Sequence, residues 1–196
     1  MGLYSSMNSI FFGASFLSNT HIQAKKKFRN KYEQKTANIV EIDPKNPDDK
    51  EALHEVSKKW DKQYISFAWN IYNDAVEDFD YPDVKAEHFL ALTTQKNNFD
   101  KLNPDKVLGL ALVSERAYDD FEINWLQVEP NNNSVDFHKN RQYKQVGRAM
   151  MNYICKTYSD KPIVVNPANT AVEFYKKYGF TYEDDIYRGI LCYRVS

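Results

Sequence analysis

The segment Val107 to Ser114, VLGLALVS, constrains this chain more than any other stretch. It is far shorter than the roughly 18 apolar residues a membrane span needs. It is also too uniformly apolar for a strand with one wet face, and reads as a central strand covered on both sides. A chain built around such a strand needs layers on both faces of a sheet. The flanking patterns supply them.

Asn46-Pro47-Asp48-Asp49 is a helix start, with an N-cap, a proline at the first helical position and acids facing the positive end of the dipole. That helix runs to about Trp60. A second helix covers about Tyr64 to Phe79, with Phe67, Ile71 and Ala75 at four-residue spacing, and Tyr81-Pro82 breaks it. Strands are expected at Asn38 to Ile42, Glu87 to Gln95 and Phe121 to Val128, the last stopped by Pro130. A helix follows from near Gln145 to about Tyr158, then a short strand from Pro162 to Val165. A helix from Asn169 to Tyr178 ends at Gly179, and Ile186 to Val195 forms a closing strand, with an extra strand near Tyr182. The order is βααβββαβαβ, so the class is α/β or α+β. Residues 38–196 form one domain. Residues 1–37, with an apolar, Ser-rich start and the run Lys25-Lys26-Lys27-Phe28-Arg29, are expected to be a partly ordered N-terminal arm.

With 196 residues, 27% charged and 15% aromatic, the chain is globular and long enough to bury a core. Lys plus Arg is 26 against 27 for Asp plus Glu, a net charge of -1, which argues against nucleic-acid binding by bulk charge. Cys155 and Cys192 sit in apolar segments and read as free thiols of a reducing, cytoplasmic compartment. Zinc spacing is absent, and no metal is expected.

Two segments carry the chemistry. Leu126 to Pro130 leads through a polar loop into Arg141-Gln142-Tyr143-Lys144-Gln145-Val146-Gly147-Arg148-Ala149. A strand that feeds a loop and then a helix leaves backbone N–H groups free at the helix start, a ready anion site. Arg141, Lys144 and Arg148 crowd that turn, as a di-anionic pyrophosphate requires, and Gly147 and Ala149 are small enough for close approach. By itself the pattern also fits an ordinary solvated helix start. The second segment is Asn166 to Phe180, in which Tyr175, taken alone, is a core aromatic.

Together they resemble the GCN5-related N-acetyltransferase (GNAT) family. Gln142-x-x-Gln145-x-Gly147 is similar to its Gln/Arg-x-x-Gly-x-Gly/Ala signature. Ala171, Phe174, Tyr175, Gly179 and Phe180 match its Asn-x-x-Ala-x-x-Phe-Tyr-x-x-x-Gly-Phe helix, with Asn169 two residues before Ala171 instead of three. The resemblance covers about residues 38–196. Gln145 departs from it, standing where the family has its middle glycine, and the loop from Asn131 to Arg141 is longer than usual. The resemblance implies a single domain with a mixed, mostly antiparallel sheet flanked by about four helices. It implies an acetyl-CoA-dependent N-acetyltransferase, an acyltransferase with acetyl-CoA as cosubstrate, acting on a primary amine of a small molecule or peptide.

By position, the amides of Gln145, Val146, Gly147, Arg148 and Ala149 would hold the pyrophosphate, with Arg141, Gln142 and Lys144 around it. Leu126, Gln127 and Val128 would pair with the pantetheine arm where their strand splays from its parallel neighbour, and an N–H near Val128 would polarise the thioester carbonyl. Tyr175 would be the general acid. Asn169 would cap its helix and touch the cofactor arm. Glu122 is the candidate base, expected to share a face with Asn124 and Leu126 by alternation; Glu115 and a water chain are the alternatives. The acceptor would lie among Trp60, Tyr64, Phe67, Trp69 and Tyr72, with Tyr187 and Tyr193 opposite. Nucleic acid and a membrane span are not expected, and a homodimer is left open. The competing reading is a silent acyl-CoA-binding or scaffold module of the same fold.

Overall fold

The computed structural model describes residues 13–26, 31–61, 68–76, 83–132, 141–182 and 191–193. Nine strands among them form one sheet in the order β6-β1-β2-β3-β4-β5-β7-β9-β8. The strands are β1 (Ser15–Lys25), β2 (Tyr32–Ile42), β3 (Val84–Thr93), β4 (Val107–Arg116), β5 (Phe121–Val128), β6 (Tyr143–Lys144), β7 (Ile163–Val165), β8 (Thr181–Tyr182) and β9 (Leu191–Tyr193). The helices are α1 (Pro47–Asp61), α2 (Ala68–Val76), α3 (Val146–Thr157) and α4 (Val172–Lys176). Pairing is antiparallel except between β5 and β7. The mixed, mostly antiparallel sheet with flanking helices is the architecture expected from sequence. No helix among the described residues is long and apolar enough to cross a membrane.

β4 is the strand on which the fold is built. Leu108, Ala111 and Val113 join the core beneath α3, with Met150 and Ile154. Val107, Leu110 and Leu112 join the opposite core beneath α1 and α2, with Leu53, Trp60 and Ile71. Burying a Leu or Val side chain contributes roughly 1.5–3 kcal/mol, and β4 does so on both faces. Gly109 is where α3 crosses closest: a Cβ there would lie 2.5 Å from Met150 Sδ and 3.1 Å from Val146 Cγ1. At the start of α1, Asn46 Oδ1 accepts from the N–H groups of Asp48 (2.8 Å) and Asp49 (3.2 Å), so it is the expected cap. Asp49 is buried and accepts from the N–H groups of Ala14 and Asp43; burial pushes its carboxyl up to about 6.

Three sequence expectations change. The boundary at residue 38 cuts through β2: β1 and β2 pair antiparallel from Ser15↔Glu41 to Lys25↔Tyr32, so residues 15–25 and 32–37 belong to the sheet. The strand begins there because long-range pairing supplies its partners, not because of an apolar pattern. Tyr143 and Lys144, for which the sequence pattern predicts no strand, form β6 and pair with the outer edge of β1 at Gln23↔Lys144 and Ala24↔Tyr143. The helix expected at Asn169 splits into a 3-10 turn (Asn169–Ala171) and α4. The ends of the second expected helix and most of the closing strand lie outside the described residues.

Candidate active site

β5 and β7 pair only at Phe121↔Ile163, Glu122↔Val164 and Ile123↔Val165. β7 then ends, while β5 continues to Val128. From Asn124 onward β5 therefore has an edge without its parallel neighbour. The register with β4 also slips there, from Val113↔Ile123 to Leu112↔Trp125, which leaves Asn124 as the extra residue of a bulge. A bulge reverses the alternation of side chains. Phe121 and Ile123 point into the α3 core, and so do Leu126 and Val128, while Trp125 packs on the α1/α2 core. The expectation that Glu122, Asn124 and Leu126 share a face is thus corrected: Glu122 faces the α1/α2 side, opposite Leu126.

The end of β5 that β7 does not reach leads to the start of α3. A Cβ on Gly147 would meet Val128 Cγ2 at 3.4 Å and Phe174 Cζ at 3.5 Å, so the end of β5, the first turn of α3 and α4 converge. Ala149 N–H donates to the Gln145 carbonyl (2.9 Å), the first bond inside the helix. Its amide is therefore taken, which removes Ala149 from the expected cradle. The amides of Val146, Gly147 and Arg148 precede that bond, and no described residue accepts from them. Gln145 sits at the N-cap with φ 67° and ψ 15°, its exposed side chain making no cap bond. That is the left-handed geometry a glycine adopts freely, which explains why the resembling signature has glycine here.

The basic residues of the turn separate. Arg148 is exposed and Arg141 half-buried, its carbonyl accepting from Tyr32 Oη at 2.8 Å. The Gln142 carbonyl accepts from Lys25 N–H at 2.7 Å. Lys144 instead lies with Nζ 3.9 Å from the centroid of the Tyr32 ring, while its neighbour Tyr143 packs against the α3 core. Successive β6 side chains point to opposite faces, so the Lys144 ammonium is on the side of the sheet away from α3. The Gln127 Oε1 atom is buried with no donor among the described residues.

Tyr175 is buried, with Phe174 and Phe180 edge-on to its ring at 5.2 and 5.6 Å. Burial pushes its phenol well above the ordinary tyrosine value. Glu122 accepts from Arg116 Nη1 at 3.0 Å, and the same guanidinium holds Asp120 at 2.7 Å. Glu115 lies across the sheet, where a hydrogen bond from Lys161 at 2.8 Å holds its carboxyl below the ordinary value. Asn169 opens the 3-10 turn and caps neither it nor α4. α4 ends at Lys176 with Lys177 as its C-cap, earlier than the expected stop at Gly179, which lies two residues past that cap with φ 87°. Of the acceptor aromatics, Trp60 is buried, and Trp69 and Tyr72 form a ring cluster with His54, stacked on Tyr72 at 4.8 Å. Tyr64, Phe67 and Tyr187 lie outside the described residues. Sequence reading passed over Asn132, whose buried side chain joins Glu129 to Tyr143. One Asn in a run of three carries no signal that could single it out.

Neither a family model nor a curated protein matches the chain. Among solved structures, a GNAT-family acetyltransferase from Staphylococcus aureus Mu50 is similar with a TM-score of 0.52 at 13% identity, over 82% of this chain and 99% of that one. A protein assigned to the same family from Desulfovibrio desulfuricans gives 0.51 at 14% identity, over the same shares. This is the GNAT acetyltransferase fold. Within the GNAT fold of this chain, Gln142, Gln145 and Gly147 form the turn into α3, and Phe174 of the second motif packs beside it. The two motifs, well separated in sequence, meet in space.

Proposed function

We propose that this chain binds acetyl-CoA and moves its acetyl group to a primary amine of a small molecule or peptide, in the cytoplasm and without a metal. The observation that carries the reading is the run of backbone groups from Leu126 to Val128, which β7 does not reach, to the amides of Val146, Gly147 and Arg148, from which no described residue accepts. An extended arm adds to an open edge as a strand, and a diphosphate suits a helix start.

In this reading Leu126, Gln127 and Val128 hold the pantetheine arm through the backbone, with Asn169 at its rim. The α3 amides, Gln145 N–H, Arg141 and Arg148 hold the diphosphate, and Gln142 anchors the turn to β1. Acetyl-CoA supplies the activated acetyl group as a thioester. Glu122, oriented by Arg116, takes a proton from an amine arriving on the α1/α2 side. Tyr175, kept protonated by burial, returns one to the departing thiolate. Calorimetry with CoA, followed by thiol release from acetyl-CoA against a panel of amines and peptides, tests the reading. No binding at high micromolar CoA refutes it.

One feature favours the silent module: the Tyr175 phenol is enclosed by Phe174 and Phe180. Its signature is CoA binding without thiol release for any acceptor.

A further inference from the structure

One side chain closes the mouth of the loop between β5 and α3. Asn132 ends the 3-10 turn Pro130–Asn132 that follows β5, and it is buried. Its Nδ2 donates to Glu129 Oε2 at 2.6 Å, and its Oδ1 accepts from Tyr143 N–H at 2.8 Å. Its own N–H donates to the Glu129 carbonyl at 2.8 Å, and Glu129 N–H donates to Leu108 O on β4 at 2.9 Å. Tyr143 opens β6, just ahead of α3. A continuous chain of hydrogen bonds thus runs from the central strand through Glu129 and Asn132 to the helix start. The middle member must donate to a carboxylate and accept from a backbone N–H at once, which a primary amide does.

We propose that Asn132 is a positioning residue for the cofactor site, fixing the span between the end of β5 and the first amides of α3. The proposal rests on the acetyl-CoA reading above. A ligand held by β5 at one end and by α3 at the other gains from both contacts only when their separation is set before it arrives. Without Asn132 that ordering must be supplied on binding. Glu129 is a demanding partner. Its carboxyl is pushed up by burial, with Lys59 of α1 opposing the shift and Asp105 of the 3-10 turn Pro104–Lys106 adding to it. A second carboxylate at position 132 would repel it.

The test is calorimetric CoA binding by the full chain, with thermal melts alongside, for Asn132→Ala, Asn132→Asp, Glu129→Gln and the double variant Glu129→Gln/Asn132→Asp. Asn132→Ala loses both bonds and weakens CoA about ten- to hundredfold. Asn132→Asp keeps the acceptor for Tyr143 but loses the donor. It binds weakly relative to wild type at about pH 8 and recovers toward about pH 5, where one shared proton restores the bond. Glu129→Gln alone leaves an acceptor for Nδ2 and binds as wild type. The double variant exchanges donor and acceptor and rescues binding across the range; it decides the matter should Asn132→Ala not fold. Wild-type affinity in Asn132→Ala despite a lower Tm, a wild-type pH profile in Asn132→Asp, or no rescue by the double variant overturns the positioning role and leaves the acetyl-CoA reading standing. Wild-type protein that does not bind CoA overturns both.

Discussion

Replacing Gln145 by glycine should stabilise the protein. The residue enters α3 with φ 67° and ψ 15°, and nothing local compensates for that geometry, since its side chain is exposed and makes no cap bond. An L-residue with a Cβ is strained there by about 1–2 kcal/mol. Glycine removes that strain, but its greater freedom in the unfolded chain takes back roughly 0.5–1 kcal/mol. The net gain is about 0.5–1 kcal/mol, which for a domain of this size raises Tm by about 1–4 °C. Gln145→Ala is the control, because alanine loses the same side chain and keeps the strain. Melts followed by circular dichroism, with urea midpoints beside them, separate the two. The backbone N–H survives both changes, so CoA affinity in Gln145→Gly should hold or rise. If glycine is no more stable than alanine, the backbone at the cradle is not strained and the account of why the signature carries glycine there fails.

Gly109→Ala should lower stability by about 1–3 kcal/mol, because the new methyl meets Met150 and Val146 in a packed interior; an unchanged urea midpoint would contradict the close crossing of α3 over β4. Asp49 gives a pH signature. Its carboxyl is at about 6 when folded against 3.8 as the reference value, so in that window the folded chain holds a proton the unfolded chain has released. Stability should therefore fall as pH rises from about 4 to 6, by up to about 3 kcal/mol, and then level off. Asp49→Asn should flatten that slope in denaturation curves, and parallel slopes would rule the assignment out. Glu122→Gln should cut kcat by about a hundredfold at neutral pH and less at alkaline pH, where the amine is already neutral. Tyr175→Phe should lower turnover with Tm nearly unchanged, and an unaltered rate removes Tyr175 from the chemistry.

What could be read in advance was whatever local pattern dictates. The apolar run of β4 announces burial on both faces, and Asn46-Pro47 announces the start of α1, because both are set within a few residues. The α3 turn was legible for the same reason, including the oddity at Gln145, whose left-handed backbone is the physical meaning of the missing glycine. Where distant segments decide, the sequence was silent. SFLSNTHIQAK places only Ile22 fully in the core, so β1 owes its form to pairing with β2. The bulge at Asn124 comes from the register of β4 against β5 and turns Glu122 to the face opposite Leu126. The basic turn looked like one cluster until Tyr32 drew Lys144 to the far side.

The attachment of β6 to β1 has a consequence for synthesis. Tyr32 and Arg141, joined by a hydrogen bond, stand 109 positions apart. A ribosome adding about 5–20 residues per second leaves the outer edge of β1 bare for roughly 5–20 s. An uncovered strand edge invites pairing with other chains, so the nascent protein is more exposed to aggregation before the turn into α3 exists, and the arrival of β6 covers that edge at Gln23 and Ala24.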